Sequence, residues 1–205
     1  LMRRPAGAAA RPTPGTGIVP FAFARRALWL VLPALFLAAM VVTPAPARSE
    51  AMILIEADSG KVLQAENATY PWYPASVTKL MTAYTILRAV KENRITLDTL
   101  FTVSLIAATQ APTKMGFPPV IQVTVDNALK MMMVRSANDM AGVLAEGLSG
   151  SIEKFADEMN RNAARLGMTQ TSYVNPNGLP ADDQVTSARD MAMLARAIIR
   201  DLPEY

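Results

Sequence analysis

The stretch YPASVTKLMTAYTIL, Tyr73–Leu87, decides the reading of the chain, because it places a lysine where a buried helix face calls for an apolar side chain. Pro74 is barred from a helix interior, and Ser76 is an acceptable capping or first-turn residue. From Val77 the residues are helix-compatible as far as Asn93. At about 100° per residue, Val77, Leu80, Met81, Ala83, Tyr84, Ile86, Leu87 and Val90 form one broad apolar arc. Thr78, Thr82, Thr85 and Arg88 form a narrower polar stripe opposite. Lys79 does not join the threonines; it lies on the apolar arc with Ala83, Ile86 and Val90. Ser76 precedes it by three residues, a spacing at which two helical side chains meet. Two readings of Lys79 stand open. Its stem can be buried while the ammonium snorkels to water. Alternatively, burial can lower its pKa and make it a base beside a hydroxyl, which is a weak nucleophile without one. The S-x-x-K spacing alone does not choose between them.

Composition narrows the chemistry. The 205 residues suffice for a leader and one ordinary domain, and 51% hydrophobic against 18% charged residues argues against disorder for the bulk of the chain. There is no histidine and no cysteine. Ser-His-Asp chemistry, thiol catalysis, thiolate zinc and disulfides are thereby excluded, and a hydrolase built from this chain must use a lysine or a carboxylate as its base. No cofactor and no metal is expected. The net charge of +3 is unevenly spread: six arginines and one acid precede position 51, leaving 14 basic and 16 acidic residues in the remainder. The basic character belongs to the N-terminal segment, and no basic patch for nucleic acid is expected.

That segment reads as a leader. Residues 1–26 are rich in Arg, Pro, Ala and Gly without an acid, and an uncharged run, Ala27–Val42, follows. Ala45 and Ala47 then fit a small-residue cleavage site, so residues 1–47 are expected to be a secretory signal peptide. The competing reading, a retained membrane anchor, is weakened by Pro33 and by a run short of a full span. The protein is expected to work outside the cytoplasmic membrane, in the periplasm or on the membrane's outer face.

After the leader, AMILIEADSGKVLQAEN reads as two strands joined at Asp58-Ser59-Gly60. TLFTVS and VIQVTV are short β-prone segments around a loop, Gln110–Pro119. Asp126 can cap a helix through NALKMMMV, which RSAND interrupts before a second helix, MAGVLAEGL. Ser151 opens a further helix whose Ile152, Phe155, Met159, Ala163 and Leu166 share a face and which Gly167 closes. TSYVNPNGLPADD is dense in turn formers. Ser187 with Asp190 is a capping-box variant for a last helix, Ala188–Arg200. Strands followed by helices, without βαβ alternation, predict an α+β fold. Ser136 and Asn138, in the RSAND break, can be a simple helix cap. They can also point a hydroxyl and an amide together into a cleft.

Ser76-x-x-Lys79 followed by Ser136-x-Asn138 resembles the serine penicillin-binding enzymes, whose motif set has a third element, K-T-G. The stretches DSGKVLQAEN, YPASVTKLMTAY, VRSANDMAGVLAE, TSYVNPNGLP and TSARDMAMLARAI resemble in combination the low-molecular-mass D-alanyl-D-alanine carboxypeptidases, peptidase family S11, from about Ala51 onward. The resemblance implies a serine β-lactamase/transpeptidase-like fold. It implies that Ser76 takes an acyl group from the terminal D-Ala-D-Ala of a peptidoglycan stem peptide, with Lys79 as general base, Ser136 as proton relay and Asn138 holding substrate and Lys79. β-Lactams would acylate Ser76 as mimics of that peptide.

The chain also departs from the family. No K-T-G follows Ser136; Lys114-Met115-Gly116 precedes it, has Met in place of the hydroxyl residue, and reads as loop. Gln184 and Val185 stand where many relatives have a histidine. The C-terminal strands and the usual C-terminal membrane helix are likewise not in the chain, so residues 48–205 are expected to be the N-terminal part of the catalytic domain, with an incomplete fold. Membrane association is then expected only through an uncleaved leader or that anchor. Two alternatives accompany this reading. One is a catalytically inactive, truncated homologue, a binding protein or gene remnant; residues 48–205 alone are expected to be inactive and to expose an apolar hairpin face near Met52–Glu66. The other is a class A β-lactamase, for which Glu158 and Asn160 are the nearest deacylating pair. The leader carries a direct test. Expressed in a bacterium, the protein should be processed at or near Ala47, and mass spectrometry that recovers exported protein with residues 1–40 intact contradicts the assignment.

Overall fold

A computed structural model of the chain describes residues 51–204; the leader reading, residues 1–47, lies outside the described residues. Strands β1 (Met52–Ile55) and β2 (Val62–Glu66) form an antiparallel hairpin with Met52 opposite Glu66. Its turn lies where Asp58-Ser59-Gly60 predict one, closed by Gly60 N–H to the Glu56 carbonyl (2.8 Å) and Glu56 N–H to the Lys61 carbonyl (2.9 Å). The hairpin leans on the last helix, while Leu54, Val62 and Leu63 are more than half exposed. Strands β3 (Leu100–Thr102) and β4 (Gln122–Thr124) make a second antiparallel pair from the two short β-prone segments. Among the described residues each sheet has two strands.

The helices are α1 (Thr78–Lys91), α2 (Leu105–Ala108), α3 (Val125–Arg135), α4 (Asn138–Ser149), α5 (Ile152–Leu166) and α6 (Ala188–Asp201). Both strand pairs are antiparallel, with no parallel βαβ unit among the described residues, as in an α+β fold. Helix α4 is the hub: α1, α2, α3, α5 and β3 all pack on it, and Met140, Val143 and Leu144 are wholly buried. Small residues let its neighbours approach. A Cβ at Gly142 would lie 3.3 Å from the Ala107 Cβ, and one at Gly147 only 2.2 Å from the Phe101 ring. Helix α5 is amphipathic as its spacing predicts, with Phe155, Met159 and Ala163 inside and Gly167 just past its end. No helix among the described residues is long and apolar enough to cross a membrane.

Two local expectations are corrected. The cap of α3 is Thr124, whose hydroxyl accepts the Asn127 N–H (3.2 Å); Asp126 lies in the first turn, where its charge meets the helix N-terminus and Lys130 instead. At α6 only half of the capping box forms. Ser187 Oγ accepts the Asp190 N–H (3.2 Å), but the Asp190 carboxylate turns away to accept from Gln170 N–H and Thr171 Oγ1, both at 2.8 Å. The polar stripe of α1 is not a water-facing surface: Thr78, Thr82 and Thr85 are buried. Each hydroxyl is satisfied by protein, Thr82 by the Pro176 carbonyl (2.6 Å) and Thr85 by Asn162 Nδ2 (2.9 Å). A helix can bury a polar stripe when another segment supplies matching groups.

The contact of Gly147 with Phe101 reverses an ordinary expectation. Glycine to alanine inside a helix normally stabilises by about 0.5–1 kcal/mol. Here the added methyl meets a buried ring, so Gly147→Ala should destabilise by about 1–3 kcal/mol, measured as a lower midpoint in thermal or urea unfolding.

Candidate active site

The site is built on the turn before α1. Residues Ala75–Val77 form a single 3₁₀ turn that runs into the helix. Ala75 has φ of +47°, a left-handed conformation that strains a residue with a Cβ. Ser76 follows it with no capping hydrogen bond; its side chain serves the cleft, not the helix end. Lys79 comes one turn later and is 3% exposed.

The second element is the break between α3 and α4. Ser136 ends α3 in the left-handed region, φ +56°, and Ala137 is extended before Asn138 begins α4. This reversal turns the Ser136 hydroxyl onto Ser76, where its Oγ donates to Ser76 Oγ at 2.9 Å. Asn138 reaches the same place from the first turn of α4. The four residues singled out in the sequence, Ser76, Lys79, Ser136 and Asn138, therefore meet in one cluster, although the motifs lie 60 residues apart.

Lys79 Nζ is surrounded by acceptors. It donates to Asn138 Oδ1 (2.8 Å), to the Asn177 carbonyl (2.6 Å) and to Ser76 Oγ (3.2 Å). Three acceptors match the three protons of an ammonium. Burial nonetheless draws the Lys79 pKa down from 10.5 to about 8. When the amine is neutral, its two remaining N–H bonds match the two shorter contacts, and its lone pair is left for the Ser76 hydroxyl. The snorkelling alternative does not occur.

Asn177 and Asp139 were not singled out in the sequence, and Gln184 only as standing where many relatives have a histidine. Asn177 meets Lys79 through its backbone carbonyl, from within the turn-rich loop between α5 and α6. That loop gets close because Gly178 has no side chain: with φ of +82°, a Cβ there would lie 1.8 Å from the Ala75 carbonyl oxygen. Gln184 is 1% exposed. Its Oε1 accepts from Val174 N–H (2.8 Å) and Asn175 N–H (3.1 Å), and its Nε2 donates to Thr78 Oγ1 (3.1 Å), so it fastens the loop to the first turn of α1. Asp139, also wholly buried, accepts from Met115 N–H and Gly116 N–H, each with a contact of 2.9 Å. The Lys114-Met115-Gly116 stretch is thus a loop, as expected, pinned beside Asn138. An acidic residue in a first helix turn and an Asn-Gly pair are visible in sequence, but neither indicates a partner so distant. Glu158 and Asn160 are engaged elsewhere: Glu158 with Arg94 and Ser149, Asn160 with the backbone N–H and carbonyl of Tyr173.

The family model described as D-alanyl-D-alanine carboxypeptidase, peptidase S11, matches residues 38–205. The chain belongs to the D-alanyl-D-alanine carboxypeptidase family. Among curated members, it is 39% identical over 183 residues to the D-alanyl-D-alanine carboxypeptidase DacC of Escherichia coli K12, covering 86% of this chain and 46% of that one. It is 36% identical over 152 residues to DacF of Bacillus subtilis 168, covering 74% and 39%. Among solved structures, the family member DacD from Francisella tularensis superposes with a TM-score of 0.74 at 35% identity, over 80% of this chain and 40% of that one. Penicillin binding protein 5 from Haemophilus influenzae gives 0.73 at 36%, over 80% and 48%. The chain thus spans less than half the length of these family members. The fold expectation, an incomplete serine transpeptidase-type domain, agrees with these neighbours.

The pinning of the 111–116 loop by Asp139 is open to test. Asp139→Ala removes the acceptor of the Met115 and Gly116 amides and of the buried Met140 amide, which should destabilise by about 1–3 kcal/mol and speed limited proteolysis between residues 111 and 119, read by mass spectrometry of the fragments.

Proposed function

We propose that this chain carries the acylation half of a serine-type D-Ala-D-Ala carboxypeptidase that trims peptidoglycan stem peptides in cell-wall metabolism. The observation that supports it most strongly is the buried Lys79 amine 3.2 Å from the Ser76 hydroxyl, with both remaining N–H directions occupied. A pKa of about 8 means that about a tenth of Lys79 is neutral at pH 7. An ordinary lysine would be neutral some 300-fold less often, by the same ten-per-unit rule (roughly).

In this reading Ser76 Oγ attacks the carbonyl carbon of the penultimate D-alanine as Lys79 Nζ takes its proton. The developing oxyanion meets the Ser76 N–H at the start of the helical turn. Ser136, hydrogen-bonded to Ser76, passes a proton to the leaving nitrogen; the C–N bond breaks, free D-alanine departs and an ester remains on Ser76. Water then hydrolyses the ester, restoring the hydroxyl. Asn138 holds Lys79 and offers its amide edge to the substrate. A β-lactam presents a cyclic amide that the same serine would attack and open to an ester; related solved structures are named as penicillin-binding proteins, one of them in an ampicillin-bound form. The proposed substrate and the leader reading both support work outside the cytoplasmic membrane. A class A β-lactamase is disfavoured, because Glu158 is committed to Arg94 and Ser149.

The test is covalent labelling. In the intact protein, Ser76→Ala and Lys79→Arg should each lower labelling by a fluorescent penicillin by at least about a hundredfold, since arginine keeps the charge but does not deprotonate. In the unsubstituted protein the acylation rate should rise with pH and reach half its plateau near pH 8, because the base acts only when neutral. Unchanged labelling of Lys79→Arg would assign the base to another group.

A further inference from the structure

Both close acceptors of Lys79 are braced by one short segment, Gln110–Thr113. Asn138 Nδ2 donates to the Ala111 and Pro112 carbonyls (3.0 and 3.2 Å), and Asn138 N–H donates to the Thr113 carbonyl (2.7 Å). On the other side, Asn177 Nδ2 donates to Gln110 Oε1 at 2.8 Å. The other side-chain polar atom of Asn177 is also taken: Oδ1 accepts the Leu179 N–H (3.0 Å). Gln110 itself is anchored. Its Nε2 donates to the Ile106 carbonyl (3.3 Å), and its Cγ lies 3.9 Å from where a Cβ on Gly142 would stand.

We propose that Gln110 is a positioning residue for Lys79: by holding the Asn177 amide, it keeps the Asn177 carbonyl on Nζ and so directs the amine's lone pair at Ser76. The inference rests on the reading of Lys79 as the base, and adds to it a residue that touches neither Ser76 nor Lys79. It follows from the geometry of a three-sided cage. Asn138 is tied by three hydrogen bonds to the backbone of the brace, whereas among the described residues the hydrogen bond between the brace and the Asn177 loop is the one to the Gln110 side chain. Loss of that tie removes a side-chain restraint on Asn177, whose carbonyl makes the shortest of the three contacts to Nζ, while Thr82 and Gln184 still hold the loop as a whole. No charged group competes for this role. Asp139, on α4, faces the Met115 and Gly116 amides; Lys114, on the brace loop, donates to the Ala108 carbonyl; Arg135, on α3, is exposed. Burial is the resolved cause of the Lys79 shift.

The experiment reads Lys79 directly, without turnover. The 13Cε resonance of Lys79 is titrated in the intact protein, assigned by its loss in Lys79→Arg. Three forms are compared: unsubstituted, Gln110→Met and Gln110→Glu. Methionine keeps the length but lacks the acceptor, so an acceptor of the ammonium is freed and the midpoint should fall by about one unit. Glutamate keeps the acceptor and adds a negative charge, so the midpoint should rise. Opposite shifts from two substitutions at one position are not the signature of general loosening, and thermal unfolding of each variant checks that the fold persists. A low midpoint in the unsubstituted protein that ignores Gln110→Met overturns the role of Gln110 alone. A midpoint near 10 in the unsubstituted protein overturns the base reading and this one with it.

Discussion

A primary amine taken out of water must find hydrogen-bond partners inside the protein, and Lys79 finds them on three separate segments. Ser76 is one turn away. Asn138 opens the central helix, and Asn177 sits in the loop between α5 and α6. The requirement organises the surroundings. The left-handed Ser136 delivers Asn138 at the right angle, Gly178 lets the loop come against Ala75, and Asp139 pins the loop that backs Asn138. Each is a local oddity, and all converge on one nitrogen. Burial alone would only make the lysine neutral; the directional acceptors decide which way the neutral amine points.

The same requirement explains why α1 buries its threonines. A helix that carries a lysine inward must be enclosed on the neighbouring faces as well. Here the enclosing segment is the 173–184 loop, which is backbone-rich and needs partners for its own polar groups. Thr78, through Gln184, and Thr82, through the Pro176 carbonyl, supply them. The polar stripe and the loop satisfy each other. Replacing either side with apolar residues would strand the other.

Legibility in the sequence followed range. The hairpin at Asp58–Gly60, the amphipathic face of α5 and the start of α6 are local patterns with one physical meaning, and each was readable. Lys79 was readable as an anomaly on an apolar arc, and its pairing with Ser76 needed only helical spacing. Ser136 and Asn138 stood out as a polar interruption between helices, but their meeting with Ser76 came from the family resemblance, not from spacing. The burial of the threonine stripe was not readable, because a wheel cannot distinguish a solvated polar face from one met by another loop. Asp126 lost the cap to Thr124 because both are good caps two residues apart and the strand β4 ends at Thr124. Asn177 was unreadable in principle: it acts through a carbonyl, which every residue has.

The partners of Lys79 lie 59 and 98 residues further along the chain. Only the Ser76–Lys79 pair is local, and a single helical turn can form it early. In such a turn the amine is still hydrated and keeps the protonation of an ordinary lysine, so the serine stays inert. The depressed basicity arrives only when the central helix and the late loop have both docked, contacts of the long-range kind that form slowly. If Ser76 acts as proposed, a nascent chain therefore carries it in a silent state, and reactivity toward acyl donors becomes a reporter of completed tertiary structure.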